Sequence, residues 1–148
     1  MSRRDAWIAA FFESKHLWPD QYLDHLTRII ATIGRYGNTV VVGRGAHYIL
    51  PLENIFRVRL MAPLENRIEH IMQVRNATRQ EAEKYVLKTD NDRQAFIRKY
   101  FHTDITDTSQ YDMVINMRIN TVEGAVEAIK AAFQKRKTIA ADSRASVA

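Results

Sequence analysis

An α/β fold, a three-layer parallel sheet with flanking helices, is the architecture this sequence predicts. Three observations carry that expectation. Thr39-Val40-Val41-Val42 is a continuous β-branched run, the pattern of a strand covered on both faces. Ile55 to Met61 and Met113-Val114-Ile115 are two further short apolar runs of strand type. The stretches between them place apolar residues at helical spacing. Strands that alternate with helices in this way pair in parallel through crossovers.

The elements follow in chain order. A first helix is expected over Arg3–Ser14, with Trp7, Ala10 and Phe11 on one face. Pro19 suits a first helical turn, and the segment to Tyr36 places Leu23, Leu26, Ile30 and Ile33 on one stripe. Gly37 is its natural stop. After the Thr39–Val42 run, the Ile55–Met61 strand has one polar side, marked by Arg57 and Arg59. Pro63 opens a helix carrying Ile68, Ile71 and Met72 inward. Thr78-Arg79-Gln80-Glu81 has the spacing of a capping box and starts a helix reaching Phe101. After the Met113–Ile115 strand, Asn120-Thr121-Val122-Glu123 repeats the capping pattern and begins a last helix through Val126, Ile129 and Phe133. No linker or repeat interrupts the chain, so residues 1–137 read as one domain. Residues 138–148 are small and polar, a flexible tail.

Composition narrows the function. With 148 residues, 46% hydrophobic and 26% charged, the chain can bury a core, which excludes general disorder. No apolar run approaches the ~20 residues of a membrane span. The absence of cysteine excludes a disulfide framework, a thiolate nucleophile and a cysteine-ligated zinc, and the expected compartment is the cytoplasm. The five histidines, His16, His25, His47, His70 and His102, lack metal-ligand spacing, so no metal site is expected from them. The net charge is +5, carried by 15 Arg and 7 Lys against 17 acidic residues. Guanidinium groups fit phosphate and carboxylate oxygens in a planar fork, which points towards phosphorylated ligands; a solvated basic surface is the competing reading.

Two constellations could carry chemistry. Gly43-Arg44-Gly45 follows the Thr39–Val42 run, and ligands of open parallel sheets bind at the carboxyl ends of strands. There the glycines permit a sharp turn and Arg44 would project into the crevice; a tight turn with an exposed arginine is the alternative. The second constellation is Lys88, Asp90, Asp92, Arg93, Arg98 and Lys99 on the capped helix. Asp90 and Arg93 are three apart and share a helix face, either as ordinary surface ion pairing or as an arginine clamp for phosphates oriented by a carboxylate. Nothing supports Ser/His/Asp nucleophilic catalysis, since no G-x-S-x-G turn occurs.

Several segments together resemble the cytidylate kinase-like group of P-loop kinases. They are Val41-Val42-Gly43-Arg44-Gly45-Ala46, the stretch from Arg57 to Arg67, Lys88-Thr89-Asp90-Asn91-Asp92-Arg93, Tyr111-Asp112-Met113-Val114-Ile115-Asn116 and Thr121-Val122-Glu123-Gly124-Ala125. The resemblance runs from about Leu23 to Phe133. It implies phosphoryl transfer from ATP with Mg2+ to a nucleoside monophosphate of the CMP type. It further implies that Arg44, with Gly43 and Gly45, binds the acceptor phosphate. Arg67 and Lys88 fall to the nucleotide, and Asp90 and Arg93 to the catalytic lid. Asp92, Arg98 and Arg75 are weaker correspondences.

The sequence departs from that family in one respect. No G-x-x-x-x-G-K-[ST] occurs, and the five glycines, Gly34, Gly37, Gly43, Gly45 and Gly124, form no phosphate loop. The chain therefore reads as a P-loop kinase-like fold lacking its first strand and P-loop, expected to be inactive or nearly so by itself. The alternative function is a non-catalytic nucleotide- or phosphate-binding, or oligomerisation, module. A nucleic-acid partner is not expected, because aromatics are not interleaved with the basic residues. In the family the P-loop strand lies between the strands matching Thr39–Val42 and Ile55–Met61. Its absence predicts a homo-oligomer, most simply a two-fold dimer, with Trp7, Phe11 and Phe12 close to the interface.

Overall fold

The computed structural model describes residues 19–145, with side chains from 21 to 137. The expected first helix, Arg3–Ser14, and its Trp7, Phe11 and Phe12 lie outside the described residues. The chain divides into two compact units, one up to Pro51 and one from Leu52 onward.

In the first unit, α1 spans Pro19–Tyr36 with the bounds its proline and following glycine dictate. Leu26 and Ile30 are buried and Leu23 and Ile33 half-buried, so the expected stripe is the inward one. A short helix, α2, covers Ala46–Ile49 and packs against α1. Gly34 sets the approach: a Cβ there would stand 2.5 Å from Leu50 Cδ2. Between the two helices, Thr39–Val42 takes no regular secondary structure and joins no ladder among the described residues. The strand expected here is thus a correction. Its β-branched residues favour a strand, yet none of the described residues pairs with it, and Val40 is 90% and Val42 88% exposed.

The second unit holds the sheet. Strand β1, Val58–Met61, pairs in parallel with β2, Met113–Asn116, in the register Val58↔Met113 to Met61↔Asn116. Both lie within or extend by one residue the expected strands. Parallel strands need a long crossover, and here it contains α3, Leu64–Arg75, and α4, Arg79–Phe101. These two helices form a hairpin around Ile68, Ala82 and Val86, with Ile71 and Met72 packed against them. Asn76 closes α3 in the left-handed conformation that a helix stop requires. The capping box at α4 is complete: Thr78 accepts from the Glu81 N–H, and the Glu81 carboxylate accepts from the Thr78 N–H at 2.8 Å. The last helix, α5, spans Val122–Ala145. Residues 138–145, expected as a tail, are therefore helical in backbone; Ala140, Ala141 and Ala145 favour that state intrinsically. Among the described residues the sheet has two parallel strands, a smaller α/β arrangement than the three-strand, three-layer one expected.

Candidate functional site

In the first unit the site begins with backbone geometry. Gly43, Arg44 and Gly45 take φ values of 79°, 58° and 65°, three successive left-handed residues. Glycine adopts this conformation without penalty, whereas an L side chain does so at a cost of about 1–2 kcal/mol. Arg44 is therefore held in a conformation it would not choose. The turn is tied by Ala46 N–H donating to Gly43 O at 3.3 Å and Tyr48 N–H donating to Gly45 O at 2.9 Å. Arg44 is half-buried, and this burial pushes its guanidinium below its ordinary pKa against an opposing influence from Tyr22. The loop thus presents a partly desolvated arginine on a strained turn, a combination that clusters at ligand sites.

The second unit brings two of the predicted residues together across the helical hairpin. Arg67 on α3 donates through Nη1 to both carboxylate oxygens of Asp90 on α4, at 2.8 and 2.6 Å. Its Nε is buried and makes no hydrogen bond. A buried, unpaired donor costs about 1–3 kcal/mol. Chemically, Asp90 holds the guanidinium still while donors remain for a phosphate or carboxylate oxygen.

The remaining candidates have surroundings of their own. Lys88 pairs with Asp92, not Asp90, at the i,i+4 spacing on the exposed face of α4. Arg93 is exposed and makes no ion pair among the described residues, although it lies one turn from Asp90. Arg75 is absorbed into structure: its Nη2 donates to the Tyr85 hydroxyl at 2.9 Å, and the guanidinium lies 3.9 Å from that ring centroid.

One cluster was not anticipated. Asp112, just before β2, accepts from Arg57 N–H at 2.7 Å, Arg57 Nε at 3.1 Å and Arg136 Nη1 at 3.3 Å. Arg136 on α5 also donates to the carbonyls of Ile55 and Leu52. Desolvation works to raise the Asp112 pKa, but the hydrogen bonds and charge of Arg57, with the charge of Arg136, outweigh it. The carboxyl therefore sits below its usual range. This cluster stitches the amino ends of β1 and β2 to α5, the end opposite to where open parallel sheets bind ligands. Arg57 and Asp112 each stand just ahead of a paired strand, which was a readable signal; Arg136 had none.

Among the described residues no group of three or more His, Asp or Glu could hold a metal ion, and no helix is long and apolar enough to cross a membrane. No phosphate-loop lysine, of the kind that cradles nucleotide phosphates, occurs in the 148 residues.

Comparison with known proteins supplies the context. The sequence model of the cytidylate kinase-like family matches residues 1–119, reaching further towards the amino terminus than the resemblance quoted above and stopping before α5. A cytidylate kinase from Methanocaldococcus jannaschii is 27% identical over 129 residues, 85% of this chain and 71% of that protein. The crystal structure of an uncharacterized protein from Eubacterium ventriosum superposes with a TM-score of 0.65 at 20% identity, over 82% of this chain and 69% of the other. That likeness concerns the fold.

Proposed function

The chain belongs to the cytidylate kinase-like family, and from that premise we propose that it binds the phosphate of a nucleoside monophosphate, CMP in type, through the Gly43-Arg44-Gly45 loop. The observation that carries this reading is the run of three left-handed residues holding a half-buried arginine. Backbone strain of this kind persists only where surrounding structure enforces it, and a desolvated guanidinium binds phosphate more strongly than a solvated one. In the second unit, Arg67 is the nucleotide-binding residue and Asp90 its orienting partner. Arg93 and Lys88 lie on the same helix as further cations that contact phosphoryl groups.

Within a complete kinase of this family, ATP and Mg2+ supply the phosphoryl group and the divalent charge. What this chain's residues do is hold the acceptor and offset its negative charge. Titration calorimetry with CMP tests the reading. Arg44→Ala is expected to weaken binding about tenfold or more, since a charge-assisted hydrogen bond is worth roughly 1.5–3 kcal/mol. Equal affinity in the two proteins would remove Arg44 from the site.

The second reading, a phosphate-binding module without catalysis, is favoured by the lack of a phosphate-loop signature anywhere in the 148 residues. A coupled assay with ATP, Mg2+ and CMP separates the two. No turnover is expected from this chain, whereas a rate of about 1 s⁻¹ or more, ordinary for enzymes, would overturn that expectation.

A further inference from the structure

One row of side chains along α4 changes character in its middle. Ala82, Val86, Asp90 and Gln94 stand four apart and Ile97 follows three residues on, so all five share one helix face. Ala82, Val86 and Ile97 are buried, as a packed face requires. Asp90 and Gln94, between them, are polar and half-buried. A polar group withdrawn from water is normally compensated by a hydrogen bond. Asp90 has its partner in the Arg67 guanidinium, at 2.8 and 2.6 Å. Gln94 makes no hydrogen bond among the described residues.

The fold offers Gln94 a local partner and does not use it. Glutamine and aspartate four residues apart can bond on a helix surface, yet the Asp90 carboxylate is taken by Arg67 from the neighbouring helix. Gln110, the other half-buried glutamine of this unit among the described residues, behaves differently: its amide donates to Thr103 Oγ1 at 2.6 Å and to Asp107 Oδ2 at 3.2 Å. The Gln94 amide is thus not spent on structure. It carries a carbonyl acceptor and two N–H donors without a net charge. Such a group matches a neutral hydrogen-bonding edge, whereas guanidinium groups match phosphate.

We infer that Gln94 is a further ligand-contacting residue beside Arg67, and that its amide hydrogen-bonds the nucleoside part of a nucleotide whose phosphate lies on Arg67. The step from Asp90 to Gln94 is one helical turn, about 6 Å along the axis. A nucleotide is longer than that step, so a phosphate held at Arg67 leaves a sugar hydroxyl or a base edge within reach of the amide. The guanidinium then supplies charge and the amide tells a nucleotide from bare phosphate. This inference rests on the reading of Arg67 as the nucleotide-binding residue.

Calorimetry with two probes, ATP and inorganic tripolyphosphate, tests the inference. Both carry a triphosphate, and only ATP carries a nucleoside. Gln94→Leu is expected to weaken ATP binding about three- to tenfold, the worth of a neutral hydrogen bond, and to leave tripolyphosphate binding unchanged. Its thermal unfolding is expected to match the wild type or lie higher, because the substitution removes no hydrogen bond within the protein. Arg67→Ala is expected to weaken both probes about tenfold or more. Unchanged ATP affinity in Gln94→Leu, or an equal loss for the two probes, overturns the role of Gln94. If Arg67→Ala leaves both affinities unchanged, the reading of Arg67 fails, while the contrast between probes at Gln94 still decides whether its amide touches a nucleoside. A wild-type chain that binds neither probe overturns both.

Discussion

The α3–α4 hairpin and the segment from Thr39 to Gly45 are built on opposite terms. The hairpin is locally complete: Ile68 is fully buried, a capping box starts the second helix, and one ion pair spans the two. The Thr39–Gly45 segment is locally unsatisfied. Its valines face solvent and its arginine sits in a left-handed turn. Short-range contacts suffice for two helices joined by a turn, while a parallel strand exists only when distant chain supplies its neighbour. The difference separates a part that local contacts complete from a part that they do not. Three successive left-handed residues and exposed valines stand in the segment proposed to bind, while the hairpin closes around the buried Ile68, Ala82 and Val86.

The largest expected effect breaks that contrast most simply. Ile68→Ala should cost about 2–5 kcal/mol in urea unfolding, the range for emptying a packed site. Val40→Ala should change stability by less than about 0.5 kcal/mol, because that side chain is 90% exposed. Equal costs would mean that the valine run is covered in the free chain. Next in size, Thr78→Ala should lose about 1 kcal/mol by removing the side-chain acceptor of the cap, and Thr78→Ser should restore most of it.

Arg44→Gly sharpens the contrast in the other direction. Relief of the left-handed strain, offset by the greater freedom of an unfolded glycine, should leave thermal stability equal or up to about 1 kcal/mol higher. CMP binding should nonetheless be lost. A large loss of stability would show that Arg44 serves the fold.

The Asp112 cluster gives a pH dependence of defined sign. Its folded pKa is depressed, so its contribution is fully present above the unfolded value of about 3.9 and is lost as pH falls through the folded value. Urea midpoints should fall below about pH 4 in the wild type. Asp112→Asn should be less stable at neutral pH and flatter in that acid range. A modest effect belongs to the half-exposed Arg67–Asp90 pair. A double-mutant cycle should give a coupling of about 0.5–1 kcal/mol, since solvent screens much of it.

What could be read from the sequence tracks the same division. Pro19 and Gly37 bound α1 correctly, and Thr78 with Glu81 marked the start of α4, because capping signals act within a few residues. Lys88 and Asp92 were four apart, so their pairing was implicit in helical geometry. Arg67 and Asp90 are separated by 23 residues and two helix ends, and no local rule joins them. Thr39–Val42 showed its extended preference plainly. Its pairing depends on a neighbour that its own residues do not specify, and so the strand expected there is open. The helical state of residues 138–145 was obscured by small polar residues that look alike in tails and in exposed helices.

The proposed function depends first on the Gly43-Arg44-Gly45 loop as the place where a nucleotide phosphate docks. A titration of the isotopically labelled chain with CMP, followed by backbone amide chemical shifts, tests that directly. The account predicts saturable shifts largest at residues 43–46, and Arg44→Ala moves their midpoint to about tenfold higher CMP or beyond. Saturable shifts centred elsewhere, with residues 43–46 unaffected, would contradict it.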